Sequence, residues 1–442
     1  MSRYLLKNGT VIDENAKMYR CDILVDGTSI RKIVPVLTCG EDSDDADLCD
    51  TRNIEVIDCT GRFITPGFAV LHAHSPMHIL RGLAEDVNID DWFNKDIFPY
   101  ESRLESQDIY YGARLCMAEM IDNGITSFAD HYFGAEEIAR AAIDSGIRVD
   151  IAYTLFARKS EELTEGIEKT YGLLERYEDT PNVDIRFGPH SPYLVSPECL
   201  KIVSDEAVKA GCGIHIHASE SQEQVDESIR LTGETPIKVI ADAGGLDVPC
   251  ILAHALYIQE SDIDLLKNDT FIASSPKTYM KLGMGQGNIW KYDDRIRMHH
   301  CIGTDGAASS NTVDALEEAR LYALVGKMND NAEGFRADDI WELLMNGHNA
   351  LRFDSGRIKE GCAADLNIWD LDKAATKPLY DLLAAILYSS CPSRDITDTM
   401  IGGEFRKRNG KLNEDMKSLI EYVDRCSDGI LKRGKGKTDH AF

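Results

Sequence analysis

A chain of 442 residues is too long for one ordinary compact domain unless the fold is a barrel with additions, and a hydrophobic fraction of 43% can fill a large core. With 48 Lys and Arg against 75 Asp and Glu, the formal charge is −27, which argues against nucleic-acid and anionic-membrane partners because both demand basic patches. The balance suits a small-molecule substrate.

The opening "MSRYLLKNGTVIDENAKMYR" has no apolar run long enough for a signal peptide or a membrane span. The twelve cysteines are scattered, with no C-x-x-C pair. They read as reduced, mostly buried side chains of a cytoplasmic protein, not as a disulfide framework. The first sixty residues alternate apolar and polar positions in "YLLKNGTVID", "CDILVDGTSIRKIVPV" and "IEVIDCTGRFITPG", broken by Asn-Gly, Asp-Gly and Thr-Gly turns. The acidic stretch 39–50 between them reads as a solvated loop. A similar pattern returns at 356–372 and 399–412. Both chain ends therefore predict one small β-sandwich domain, residues 1–62 and 356–412, with residues 63–355 inserted into it. Residues 413–442 open as a polar helix and close in the basic run "LKRGKGKTDH", a loose terminus.

The middle has another rhythm. Eight short apolar runs, "GFAVLHAH", "ITSFADH", "RVDIAYT", "DIRFGPH", "CGIHIHA", "PCILAHA", "TFIASS" and "HCIGTDG", alternate with segments of helical pattern. Strands alternating with helices make parallel βα units, and eight of them make an α/β fold of the (β/α)8, or TIM-barrel, class.

The chemistry collects at the ends of these runs: His72 and His74 on the first, His190 on the fourth, His217 on the fifth, His254 on the sixth and Asp305 on the eighth. Barrel active sites form at the C-terminal strand ends. The pair His72 and His74, alone, fits a polar strand end equally well. On a strand, however, positions i and i+2 share a face, so both imidazoles can reach one ion. His217 and Asp305 could complete a three-His, one-Asp set with a position open for water, the requirement of a hydrolytic metal site. His215 shares the face of His217 and is the competing ligand; the spacing to Glu220 favours His217. Glu220, just past that ligand, could move a proton between water and a leaving nitrogen, or simply favour the start of a helix. His299 and His300 enter the eighth run from its far end and read as structural; His348 and His440 carry no signal.

The segments "TPGFAVLHAHSPMHILRGLAEDVNIDDW", "FGPHSPYL", "HIHASES", "LAHALYI" and "IGTDGAASSN" together resemble the amidohydrolase superfamily, in its branch of methylthioadenosine/S-adenosylhomocysteine deaminases and related chlorohydrolases. The resemblance covers nearly the whole chain. It implies one metal ion per subunit, usually zinc, held by His72, His74, His217 and Asp305; the same donors also accommodate iron(II) or manganese(II). It makes Glu220 the proton shuttle, sets His254 beside Asp305 to orient or deprotonate the water, and turns His190 to the substrate ring. It implies a homodimer or larger assembly. In the nucleoside branch, "DDWFNKDIFPYE" is similar to a segment supplying an aromatic wall and a ribose-binding glutamate, here Trp92 and Glu101; Trp92 as a buried anchor is the equal alternative.

Several positions depart from the family pattern. Tyr153, with Arg158 nearby, stands where the branch places an arginine for homocysteine. Ser274 and Ser275 replace the usual His-Asn before Pro276. His131 closes the second run, where an apolar residue is usual, and His78 replaces a small residue. These changes count against S-adenosylhomocysteine itself. The expected function is hydrolytic deamination of an aminopurine or adenosine-type nucleoside. The alternatives are displacement of chloride or amine from a triazine or another aminated heterocycle (guanine, pterin or cytosine type), and a ligand-binding barrel without catalysis.

Overall fold

A computed structural model describes residues 3–35 and 54–436; the acidic stretch 39–50 and His440 lie outside the described residues. Nine strands from the two chain ends make one sheet: β1 (Arg3–Ile12), β2 (Met18–Asp26), β3 (Ser29–Pro35), β4 (Glu55–Asp58), β5 (Phe63–Pro66), and, from the far end, β14 (Leu366–Trp369), β15 (Ile396–Ile401), β16 (Glu404–Arg408) and β17 (Lys411–Leu412). The sheet runs β17-β16-β15-β14-β5-β1-β2-β3, with β4 paired to β1. The antiparallel β5–β14 pair, Ile64 opposite Ile368, joins the two chain ends. The expected sandwich region is thus one continuous hydrogen-bonded sheet. It holds its own core, in which Leu6, Ile23, Ile64, Leu366 and Met400 are buried together.

The chain crosses from this sheet into the barrel at Gly67, later than residue 62. A Cβ at Gly67 would collide with the Thr126 side chain, so only glycine lets the first barrel strand lie against the second. The barrel strands are β6 (Phe68–Ala73), β7 (Ile125–Tyr132), β8 (Arg148–Leu155), β9 (Val183–Pro189), β10 (Ile214–Ala218), β11 (Cys250–His254), β12 (Thr270–Ser274) and β13 (His300–Ile302). All neighbouring pairs are parallel. These are the eight expected runs. They read as continuous apolar stretches because a barrel strand is covered on both faces, by the interior and by the helical layer.

The helices between them carry local start and stop signals. Helix Pro197–Ala210, for example, has Pro at its first turn, Ser196 capping Cys199 N, and Gly211 at φ 66° ending it. The ring of strands closes through Ala73 and Asp305, with Thr304 N and Asp305 N donating to His72 O at 2.9 and 3.1 Å. The closure itself therefore brings a carboxylate from the eighth strand to the first-strand histidines. After the sheet, helix Met416–Arg433 packs on helix Ser106–Asp122, where Tyr422 and Tyr111 stack at 4.6 Å. Among the described residues, no helix is long and apolar enough to cross a membrane.

Candidate metal and catalytic site

The strand ends bring His72, His74 and His217 together. One nitrogen from each lies within 4.8 Å of the others, and His74 Nε2 is 3.5 Å from His217 Nε2. Asp305 Oδ1 lies 3.4 Å from His74 Nε2 and 3.8 Å from His72 Nε2. His72 Nε2 is buried with no hydrogen-bond partner among the described residues. A buried imidazole nitrogen left this way is costly unless something binds its lone pair.

The donors suit a divalent ion. Burial, followed by neighbouring imidazoles, holds His72 and His217 well below the ordinary histidine value, so both are neutral and keep a lone pair. The Nδ1 atoms of His74 and His217 point to the carbonyls of His131 and His190 at 2.6 and 2.8 Å. A carbonyl can only accept, so Nδ1 carries the proton and Nε2 is free to ligate. Asp305 is steadied from behind: Ser309 Oγ donates to Oδ2 at 2.9 Å and lies 3.0 Å from Thr278 Oγ1.

The same burial makes stability depend on pH. In the unfolded chain these histidines take up protons near pH 6.5, whereas the folded chain resists until far lower pH. The unfolded state then binds more protons, so metal-free protein is expected to lose stability progressively as pH falls below about 6.5. Melting temperatures recorded with chelator across pH 5–8 check this; a flat profile would contradict neutral burial.

Glu220 and His254 stand beside the donors. His254 Nε2 is 3.6 Å from Glu220 Oε1. Tyr193 donates to Glu220 Oε2 at 3.0 Å, and Gln224 Nε2 is 3.5 Å from that oxygen. Non-glycine residues adopt left-handed backbone here: Ser219 (φ 48°), His254 (φ 69°), Ala255 (φ 46°) and Asp305 (φ 55°). Such conformations cost energy and persist where packing imposes them, commonly at functional sites. Here they turn the chain at the ends of β10, β11 and β13.

The other candidates divide. His190 joins the cluster, its ring stacked 4.6 Å from that of His217 and 5.0 Å from that of Phe156. Glu101 is buried and accepts from Tyr132 at 2.6 Å, and burial raises its pKa. Trp92 is buried, with its indole N–H on Ala308 O at 3.1 Å, so it anchors the segment that follows Asp305. Tyr153 does not join them. Along β8, Thr154 faces the interior and bonds His131 Nδ1 at 3.1 Å, so Tyr153 faces the helical layer, where its hydroxyl accepts from Lys169 at 3.3 Å. Tyr153→Phe is therefore expected to leave kcat/KM within about twofold; a large loss in steady-state kinetics would put Tyr153 back in the site.

His78 packs away from the ligands, against Glu119 at 3.0 Å. His131, by contrast, lies among them, 4.8 Å from the His217 ring, and burial brings its pKa down to about 3. His215 does not join the three-histidine group: its Nε2 faces His72 Nδ1 at 2.9 Å. Ser274 Oγ bonds His300 Nε2 at 2.6 Å on the helical-layer side of β12 and β13, where the His300 ring packs against Tyr322. Sequence spacing missed Tyr193, Ser309 and Thr278, which act through hydrogen bonds to chemically obvious residues.

A model of the amidohydrolase family matches residues 63–406. The chain belongs to this family. This amidohydrolase is 36% identical over 407 residues to a 5-methylthioadenosine/S-adenosylhomocysteine deaminase of Thermococcus sibiricus, covering 90% of this chain and 93% of the relative. It is 33% identical over 417 residues to the protein of that name from Pyrococcus horikoshii, covering 92% and 95%. The crystal structure of an adenosine deaminase from Xanthomonas campestris with bound zinc superposes with a TM-score of 0.87 at 24% identity, over 98% of this chain and 99% of that one.

Proposed function

We propose that this amidohydrolase is a divalent-metal deaminase that replaces the ring amino group of an adenosine-type nucleoside by oxygen and releases ammonia. The observation that carries the reading is the 36% identity, across 90% of the chain, to a protein named for this activity. The converging donors and proton-transfer groups supply the chemistry it needs. His72, His74 and His217, through Nε2, and Asp305, through Oδ1, would hold the ion, with zinc as the proposed native metal. A bound ion of this kind acts as a Lewis acid and brings the pKa of a water toward neutrality.

The chain's own groups then handle the protons. Asp305 and His254 accept the proton of the attacking water. Glu220 delivers a proton to the ring nitrogen next to the amino-bearing carbon, takes up the proton of the new hydroxyl and passes it to the departing amine, so the C–N bond breaks and neutral ammonia leaves; the water proton held by Asp305 and His254 then restores Glu220. His190 would bear on the base, and Trp92 and Glu101 on the ribose side. Tyr153 faces the helical layer and Arg158 is exposed, which favours adenosine and its short 5′-thioethers over S-adenosylhomocysteine. The same reading takes the protein as a cytoplasmic homo-oligomer.

The test is ammonia release by metal-replete protein from a panel of adenosines, aminopurines, pterins and aminopyrimidines, with chloride release from chlorotriazines measured in parallel. Turnover of 5′-methylthioadenosine with a higher kcat/KM than S-adenosylhomocysteine is expected. No ammonia from any member would sink the proposal.

A further inference from the structure

The three histidines that can meet at one ion are not held alike. His74 and His217 each present Nδ1 to a main-chain carbonyl. That partner accepts only, so it settles both the tautomer and the ring orientation. Among the described residues, His72 has no such carbonyl at Nδ1. It meets another imidazole there, His215 Nε2 at 2.9 Å, and both side chains are fully buried.

An imidazole nitrogen accepts in one tautomer and donates in the other. One proton lies between the two rings. On His72 Nδ1, it leaves His72 Nε2 with the lone pair an ion needs. On His215 Nε2, it forces the proton of a neutral His72 onto Nε2, on the side facing Asp305. The His72 main chain is already pinned, its carbonyl accepting from Thr304 N and Asp305 N. A Cβ at Gly303 would lie 3.0 Å from His72 Cβ, so the strand has little room to shift. What remains free is rotation of the ring, and the hydrogen bond at Nδ1 opposes it.

We propose that His215 is a positioning residue for the metal centre: its Nε2 accepts the His72 Nδ1–H and so holds the ring and tautomer that present His72 Nε2 to the ion. The inference rests on the metal-site reading above. It gives the two His-x-His motifs different meanings. On β6 and just past its end, both histidines are donors. On β10 the second is a donor, and the first, one layer deeper on the same face, supports a donor on β6.

The test compares His215→Gln with His215→Met. The two side chains are close in size and flexibility, but only glutamine offers a strong acceptor, the thioether sulfur being a weak one, so a shared packing defect cancels in the comparison. Zinc affinity is measured by competition with a chromogenic chelator, and the ligand field by the visible spectrum of the cobalt(II)-loaded protein. His215→Met is expected to bind zinc about 10- to 100-fold more weakly than wild type and to shift the cobalt bands, the usual size of effect for a group supporting a ligand. His215→Gln is expected to keep most of the affinity and the wild-type spectrum. Equal affinities for the two variants, whether both strong or both weak, would overturn the proposal. His72→Ala separates the two readings: wild-type zinc binding by that variant would remove the metal site itself, whereas its loss beside an unaffected His215→Met would remove only the role of His215.

Discussion

Glu220→Gln is expected to lower kcat for ammonia release by about 10²- to 10⁴-fold, the range spanned by loss of one general acid–base group, with zinc content and melting temperature unchanged. Glutamine has the shape of glutamate and keeps an oxygen for the Tyr193 hydroxyl, which donates to Oε2 at 3.0 Å. What it loses is the ability to take up and release a proton beside His254, whose Nε2 is 3.6 Å from Oε1. Burial, with the Glu220 charge adding to it, raises the Tyr193 pKa far above the ordinary phenol value, so the tyrosine remains a donor throughout the working pH range. The side chain is therefore placed by neighbours that survive the substitution, and the rate loss would report proton transfer and not folding. Single-turnover and steady-state rates, with metal analysis of the same preparation, check it. Undiminished activity would end the assignment of Glu220 as the shuttle.

The ring of eight strands was legible in the sequence because a parallel barrel covers both strand faces. Each strand is then an apolar run, and several end where a histidine or carboxylate breaks the run. The three histidines that converge were legible for the same reason, at strand ends that the barrel must bring together. The supports were not. Tyr193 on Glu220 and His215 behind His72 lie in contact only once the strand ends come together, and no spacing announces a hydrogen bond between residues more than a hundred positions apart, as His72 and His215 are; Ser309 is local to Asp305, but nothing in "GAASSN" says which of its two serines turns to the carboxylate. Tyr153 shows the converse error. Counting along a motif placed it in the pocket, but strand alternation gives that face to Thr154 and leaves the tyrosine against Lys169. One residue of offset reverses the side of a strand. That both chain ends build one β domain was legible; the β5–β14 pair that joins them was not, because strand alternation predicts strands but not which edges join.

Removing one donor should separate the metal centre from the rest of the histidines. Zinc at about 100 times its Kd is expected to stabilise the wild-type fold by about 2.7 kcal/mol, through mass action on the native state alone. In His217→Ala that increment should vanish, together with activity, because the site loses one of the three histidine nitrogens that lie within 4.8 Å of one another. The variant should also melt below metal-free wild type, since the His190 carbonyl loses the donor at 2.8 Å and the site loses a buried ring. His78→Asn is the control from the same stretch of sequence as His72 and His74. Its partner is Glu119 on helix Ser106–Asp122, so it is expected to change baseline stability while leaving the zinc-dependent rise in melting temperature intact. Thermal melts with chelator and with titrated zinc distinguish the two. A zinc increment that survives His217→Ala, or that disappears in His78→Asn, would mean that the ion sits elsewhere, because the difference between the loaded and unloaded melts reports zinc affinity, which changes only where the ion is bound or its ligands are held.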